Sequence, residues 1–300
     1  PQIKEKNNMI KYMTALVAVF FTTAALSAEV IPYGSFNYKW SHDENASGVA
    51  YDKLEDNGSK IGVDIVDVGI EGQTITGFAL LEVGVDTDDS ASNTFNSRLA
   101  YVGASTEMGD ISVGRQSHPY TDNVAENASI FEVYGGNSSF SYGSRSSNSL
   151  VYSNEVGPLS IDAMAIVDGA SGEDGVDVYE WSASAKVLGS DVSAGYVDDI
   201  TNDISYYGVG ATTSIDKLTV SSSYTIKDAA TDLTAWEVAG KFSLLSVGYG
   251  DKEGTGTYKT IGLSKSFGND LLVYAETEMA APEGSAVDTQ SWSIGTKFSF

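Results

Sequence analysis

Apolar and polar residues alternate strictly through short segments along most of this chain. In the segment 217–227, Leu218, Val220, Tyr224 and Ile226 share one parity, and serine, threonine and lysine residues occupy the other. Segments 178–188 and 289–300 alternate in the same way. A period of two is typical of β-strands that expose one face to an apolar environment and the other to a polar one. The pattern therefore predicts an all-β chain.

Sixteen such segments follow Val30, each about 8–12 residues long. This length matches the roughly 9–11 residues that a tilted transmembrane strand needs. The predicted strands are 30–41, 59–70, 74–86, 97–106, 109–116, 148–156, 159–167, 178–188, 190–198, 204–214, 217–227, 234–242, 244–251, 258–267, 270–278 and 289–300.

Short turns and longer loops alternate between the predicted strands, as they do in an antiparallel membrane barrel with one short-turn rim and one long-loop rim. The short turns are Glu71–Gln73, Glu107–Gly109, Gly157–Pro158, Leu188–Ser190, Ile215–Lys217, Ser243 and Gly268–Asp270. The longer loops lie near 42–58, 87–96, 117–147, 168–177, 199–203, 228–233, 252–257 and 279–288.

The alternation alone also fits a β-sandwich, so a secreted acidic sandwich or adhesin stays an alternative. Small residues are common on the polar face and aromatic residues lie towards strand ends, which favours a sixteen-stranded antiparallel transmembrane β-barrel. Lys265 breaks the pattern because it shares the parity of Ile261 and Leu263. Either its side chain extends to the membrane interface or a bulge shifts the register there.

The stretch from Arg115 to Arg145 shows no strand alternation, and it carries Asp122, Glu126 and Glu132. A loop this long between short connections is usually functional or disordered. We expect it to fold into the mouth of the barrel and narrow it.

The chain is strongly acidic, with 17 Lys and Arg residues against 41 Asp and Glu residues and no Cys. Such a charge repels nucleic-acid phosphates, and the absence of Cys excludes disulfides, zinc-thiolate sites and thiol nucleophiles. The acidic runs Asp86–Asp89 and Glu173–Asp174 lack the spacing of a calcium loop, so we expect solvated loops, no metal site and no cofactor.

Residues 9–28 have a lysine-bearing start, an apolar core from Ala15 to Ala25 and small residues up to Ala28. This pattern predicts a secretory signal peptide cleaved after Ala28. Residues 1–8 would then be an upstream extension and residues 29–300 a single barrel domain. Removing residues 1–28 leaves 14 basic and 40 acidic residues, a net charge near −26.

Several short motifs occur in a characteristic order. They are Tyr33–Gly34, RLAYVG at 98–103, GDISVGR at 109–115, EVYGG at 132–136, Arg145 with NSLVY at 148–152, and KFSF at 297–300. In this order and spacing the chain resembles the trimeric general diffusion porins of Gram-negative outer membranes. The resemblance implies a homotrimer in contact with outer-membrane lipid and lipopolysaccharide, through which small hydrophilic solutes and ions diffuse passively.

The resemblance also implies a pore constriction in which acidic residues of the third loop face basic residues of the wall. The basic wall residues correspond to Lys60, Arg98 and Arg145, and a further basic position corresponds to Ser35. The loop acid corresponds to Glu132 with an offset of one residue, and its neighbours Asp122 and Glu126 are the other candidates. Lys60 and Arg98 also have the parity of the polar faces, opposite to Ile61, Leu99 and Tyr101, so we expect both cations to point into the lumen.

Arg115 has the parity of Ile111 and Val113, which predicts a lipid-facing position. A guanidinium there costs ~2–4 kcal/mol at the midplane of the membrane, so it should be paired. The resemblance implies a partner on the second loop of a neighbouring subunit, where Asp86, Asp88 and Asp89 are the candidates.

Carboxylates at polar-face positions predict a modest preference for cations, because carboxylates that line a pore favour them. They are Asp64, Glu82, Asp162, Glu180, Glu237, Glu276 and Glu278.

An outer-membrane hydrolase is the enzymatic alternative. Such a site needs a histidine oriented by a carboxylate and a serine nucleophile, and the chain has only His42 and His118. We expect the protein not to be an enzyme.

Overall fold

The computed structural model describes residues 28–45, 47–69, 74–88, 94–169, 175–285 and 287–300. The predicted extension, the predicted signal peptide apart from Ala28, the predicted turn Glu71–Gln73 and the candidate contact residue Asp89 lie outside these residues.

Seventeen antiparallel strands form one sheet in the described chain. Each strand from β3 onward pairs with the next, β17 pairs with β1, and β1 also pairs with both β2 and β3. The strands are β1 (Glu29–Glu44), β2 (Ala50–Asp56), β3 (Lys60–Gly69), β4 (Thr76–Val85), β5 (Phe95–Thr106), β6 (Gly109–Ser117), β7 (Arg145–Val156), β8 (Leu159–Ile166), β9 (Val178–Val187), β10 (Ser190–Asp199), β11 (Ile204–Ile215), β12 (Leu218–Asp228), β13 (Leu233–Phe242), β14 (Leu245–Lys252), β15 (Gly256–Phe267), β16 (Leu271–Pro282) and β17 (Thr289–Ser299). A single sheet closed on itself confirms the barrel and shows that the sandwich alternative is wrong.

The seventeen strands make sixteen positions around the wall because β2 and β3 share one edge of β1. The second half of β1 pairs with β2, and the first half pairs with β3. The predicted sixteen-stranded barrel is therefore confirmed, but the predicted first loop at 42–58 is wrong. This hairpin carries charged residues on both faces, with Lys39 Nζ 3.3 Å from Glu55 Oε1, so the sequence shows no alternation there.

Burial along the strands is the inverse of that in a soluble protein. On β9, Tyr179 and Trp181 are 50% and 46% exposed, whereas Glu180 and Ser182 are 3% and 0% exposed. Apolar side chains cover the outside and polar side chains fill the inside, as in a barrel surrounded by lipid. No helix in the described part of the chain has the length and hydropathy needed to cross a membrane.

The short turns lie within a residue or two of their predicted positions wherever the structure describes them. Leu188 and Gly189 join β9 to β10 with φ angles of 52° and 89°. Positive φ at both central residues is the geometry of a two-residue turn that matches the twist of a hairpin.

Lys265 lies on the outer face at the end of β15, with its Nζ 4.9 Å from the centroid of the Phe267 ring. The register between β15 and β16 is continuous through this position. Of the two explanations for this residue, a position at the strand end therefore fits and a bulge does not.

A register shift between β4 and β5 changes which residues of β5 face inward. Leu99 lies opposite Glu82 and Tyr101 opposite Leu80, with the irregularity between Glu82 and Val83. Directly opposed residues share a face of the sheet, and Arg98 also reaches Glu82 inside the barrel. The expected outward position of Leu99 and Tyr101 is thus wrong, because the bulge turns two consecutive residues inward.

Candidate functional site

The third loop, which connects β6 to β7, folds into the barrel as expected. Its one turn of π-helix, Thr121–Ala125, adjoins β9 to β12. Tyr120 and Val124 are both 0% exposed. They pack against apolar residues on the inner face of the wall, namely Val151, Met164, Ile166, Val178 and Val197. These inward apolar residues are an exception to the polar inner face of the barrel. Together with Tyr120 and Val124 they form a small hydrophobic core beneath the loop.

A buried histidine fixes the start of the loop. His118 is 1% exposed, with its Nδ1 2.6 Å from Glu180 Oε2 and its Nε2 2.8 Å from Ser146 Oγ. The second oxygen of Glu180 accepts a hydrogen bond from the backbone N–H of Tyr120. Glu180 therefore joins the wall to two consecutive parts of the loop.

Two asparagines attach the middle of the loop to the wall. Asn123 Nδ2 lies 3.1 Å from Asp162 Oδ2 and 2.8 Å from Ser182 Oγ. Asn127 Nδ2 donates to the carbonyl oxygen of Ser222 at 2.9 Å.

Glu276 on β16 accepts three backbone hydrogen bonds from the second half of the loop. Its Oε1 lies 2.7 Å from the nitrogen of Glu132, and its Oε2 lies 2.9 Å and 3.1 Å from the nitrogens of Val133 and Tyr134. Successive N–H groups that converge on one carboxylate make short, charge-assisted bonds.

Gly135 and Gly136 continue this arrangement with φ angles of 70° and 68°, a conformation that a glycine adopts without strain. Their N–H groups donate to Glu278 at 3.0 Å and to Glu237 at 2.7 Å. We refer to Glu237, Glu276 and Glu278 as the carboxylate clamp.

Aromatic packing accompanies the clamp. The ring of Phe131 lies against Gly248 and Gly262 on β14 and β15, where an added Cβ would come within 2.8 Å and 3.2 Å of it. Glycine at these two wall positions makes room for the ring.

The clamp changes the predicted role of the inward carboxylates. Glu237 and Glu276 are 1% and 6% exposed, so they face loop amides rather than pore water. The prediction that they act directly as pore-lining charges is wrong. Strand parity identifies them as inward residues, but it carries no information about which segment they meet.

Among the predicted basic wall residues, Lys60 and Arg98 share one carboxylate. Lys60 Nζ lies 2.7 Å from Glu82 Oε2, and Arg98 Nε lies 2.6 Å from Glu82 Oε1. Glu82 is 2% exposed and also accepts a hydrogen bond from Tyr33. Arg145 has Arg98, Glu82 and Asp122 as electrostatic neighbours. The basic part of the wall therefore contains three cationic side chains and one carboxylate, Glu82, which pairs with two of them.

The three candidate loop acids lie in different surroundings. Glu132 Oε2 lies 3.4 Å from Lys297 Nζ on β17. Asp122 and Glu126 have exposed side chains on the first half of the loop. The surrounding barrel limits hydration, and this effect together with the charge of Glu126 raises the pKa of Asp122 to about 6, although Ser117 and Arg145 act in the opposite direction.

The predicted subunit-contact residues are placed as follows. Arg115 is opposite Ala100, whose side chain is exposed on the outer face, and Arg115 Nη1 lies 3.2 Å from Ser147 Oγ. Asp88 Oδ2 accepts a hydrogen bond from the N–H of Asp56 at 2.8 Å, so the second loop contacts the first hairpin of its own barrel. A cross-subunit pair with Arg115 stays a prediction.

The second histidine and the acidic residues bear on catalysis and metal binding. His42 Nδ1 lies 2.8 Å from Asp52 Oδ1 on the neighbouring strand. Within the part of the chain that the structure describes, no group of three or more His, Asp or Glu residues is placed to hold a metal ion.

Comparison with known proteins agrees with this architecture. A model of the Gram-negative porin family matches residues 14–300. A search of the curated proteins by sequence finds no significant match.

Three solved structures illustrate the similarity of the fold. The trimer form of OmpT from Vibrio cholerae has a TM-score of 0.74 at 18% identity, covering 92% of this chain and 100% of that one. An anion-selective porin from Comamonas acidovorans has a TM-score of 0.74 at 13% identity, covering 91% and 100%. OmpF of Salmonella typhi in complex with daunomycin has a TM-score of 0.71 at 16% identity, covering 90% and 97%. With the family match, the closed barrel and the inward loop, the chain belongs to the Gram-negative porin family and forms a diffusion channel in the outer membrane.

Proposed function

We propose that this channel has a modest preference for cations and acts as a homotrimer. The observation that carries the preference is the pairing of Lys60 and Arg98 with Glu82, which lowers the net positive charge of the wall. Asp122 and Glu126 on the facing loop have exposed side chains. Carboxylates in contact with pore water attract cations and repel anions.

The preference is modest because Arg145 opposes it and because salt screens the charges. At physiological ionic strength the Debye length is ~8 Å, so charges at the constriction dominate and distant loop acids contribute little. A transverse field between wall and loop would orient dipolar solutes during passage.

The fold does not determine selectivity, since one similar structure is described as an anion-selective porin. The charges on the inner wall and third loop must decide the sign in this chain. In this chain the inner wall and the third loop carry both acidic and basic side chains, and the whole sequence has a net charge of −24.

The trimer is supported by the resemblance and by the OmpT structure described as a trimer form. Arg115 on the outer face is the candidate contact residue, and its expected partners are Asp86, Asp88 and Asp89 of a neighbouring subunit. The rest of the apolar outer surface would contact lipid and lipopolysaccharide.

Reversal potentials across a potassium chloride gradient test the preference in planar bilayers. We expect a cation-selective potential that decreases as salt rises, and stepwise triple closures if three pores assemble. Replacing both Asp122 and Glu126 by their amides should reduce the selectivity, whereas Glu253→Gln in the exposed turn after β14 should not. An anion-selective potential at low salt would refute the proposal.

Ser146, His118 and Glu180 are joined by hydrogen bonds in the same sequence as the residues of a hydrolytic triad. We propose that this group anchors the third loop instead. His118 is buried, and Glu180 also holds the loop backbone at Tyr120. Ser146→Ala should leave ester hydrolysis at the background rate of unaltered protein. Loss of a measurable esterase rate in Ser146→Ala would contradict this role.

A further inference from the structure

A cavity of about 360 Å³ lies inside the barrel between the third loop and strands β4 to β7. Its lining includes apolar side chains, Phe78, Leu99, Tyr101 and Val151, together with the acidic residues Asp110 and Asp122. It is on the short-turn side of the Lys60, Glu82 and Arg98 cluster, since Leu99 and Tyr101 follow Arg98 towards the turn that ends β5.

Three structural features position the apolar side chains that line this cavity. The bulge between β4 and β5 turns Leu99 and Tyr101 inward, as described above. Phe78 and Tyr101 meet edge to face with their ring centroids 6.4 Å apart. The Phe78 ring lies over Gly103, where a Cβ would come within 2.3 Å of it, so only glycine leaves room for this ring position.

Carboxylates border the apolar wall on three sides. Asp110 lies near the short-turn end of β6, and Asp122 lies on the loop at the opposite end of the cavity. Asp64 on β3 is in the same row across the sheet as Leu80 and Tyr101. The basic residues Lys60, Arg98 and Arg145 are not part of the lining.

Apolar surface that water must cover is unfavourable, and aromatic faces attract cations. We propose that this cavity is a subsite for amphipathic organic cations, in which an aromatic or alkyl body lies on Phe78, Leu99 and Tyr101 and an ammonium group lies near the surrounding carboxylates. The inference rests on the proposed function, because solutes reach the cavity by passing through the pore. It adds a solute class to an otherwise general channel.

Current block in planar bilayers tests the subsite with benzyltrimethylammonium, tetramethylammonium and benzenesulfonate added to the short-turn side. We expect the aromatic cation to block at roughly tenfold lower concentration than tetramethylammonium, since an aromatic contact in a partly desolvated site contributes about that factor. Benzenesulfonate should block weakest because the carboxylates repel it. Equal blocking concentrations for the two cations in the unaltered protein would overturn the proposal.

A pair of matched variants separates the cavity from general effects of lost apolar side chains. Leu99→Ala with Tyr101→Ala should bring the ratio of the two blocking concentrations close to one. Leu81→Ala with Val102→Ala removes apolar side chains from the outer face of the same two strands and should leave the ratio unchanged. An unchanged ratio in the inner-face variant would also overturn the proposal.

Charge is tested separately from apolar contact. Asp110→Asn with Asp122→Asn should raise the blocking concentrations of both cations and keep their ratio. Reversal potentials without any blocker report the proposed ion preference independently. A cation-selective pore that does not distinguish the two blockers would therefore refute the subsite alone.

Discussion

Glu276→Gln is the change that tests most directly how the constriction is held. One carboxylate oxygen of Glu276 accepts a hydrogen bond from Glu132, and the other accepts two, from Val133 and Tyr134. A glutamine retains one acceptor oxygen and presents an NH₂ group in place of the other. That group would face backbone N–H donors, so either one or two of the three bonds must be lost.

The cost follows from the kind of bond that is broken. A hydrogen bond to a charged group contributes about 1.5–3 kcal/mol, and Glu276 is 6% exposed, so water cannot replace the lost partner easily. Loss of one bond alone should increase local opening roughly 10-fold to 150-fold. The bonds of Gly135 and Gly136 to Glu278 and Glu237 limit the opening to the segment around residues 132–134.

Hydrogen exchange measured by mass spectrometry on the detergent-solubilised protein can resolve this segment. We expect faster exchange of the amides of residues 132–134 in Glu276→Gln, with unchanged protection in the strands. Glu253→Gln is the matched control, because Glu253 accepts one backbone hydrogen bond from Thr234 at an exposed position. If the barrel stays intact and exchange at 132–134 is unchanged, the clamp does not hold the loop.

Three further outcomes are expected. Glu82→Gln should leave Lys60 and Arg98 without their shared carboxylate, which should shift reversal potentials towards anions and cost about 1–3 kcal/mol of stability against denaturant. Asp122 has a pKa of about 6, so its side chain is charged above that pH and neutral below it. The cation preference should therefore decrease as the pH is lowered from about 7 to about 5, and Asp122→Asn should abolish this pH dependence. Arg115→Ala should lower the temperature at which the trimer dissociates on a gel and leave the conductance of a single pore nearly unchanged; equal melting of both proteins would contradict the predicted subunit contact.

Periodicity was sufficient for the barrel because lipid on one side and a polar interior on the other impose a period of two on each strand. Periodicity did not predict the structure correctly where a segment lacks lipid on one side and a polar interior on the other. The hairpin of β1 and β2 has charged residues on both faces. Inward apolar residues such as Met164 and Val197 pack against the third loop and so have no contact with pore water.

The site was less accessible to sequence reasoning for two physical reasons. The bulge beside Glu82 reverses the parity of β5 at Arg98 and Leu99, where no glycine or proline marks it, so alternation predicts the wrong face for Leu99 and Tyr101. The clamp depends on contacts between residues far apart in sequence, and parity alone does not show that Glu276 meets Glu132 rather than the pore.

The carboxylate clamp also bears on the order in which the channel is made. Glu276 lies 144 residues beyond Glu132 in the chain, and Gly34 near the start pairs with Phe300 at the end. Contacts of such long sequence separation form late, because closing a long loop costs entropy before any contact compensates for it. The third loop can therefore take its final position at Glu276 only after β16 has joined the wall, so the narrow part of the pore is completed among the last steps of assembly.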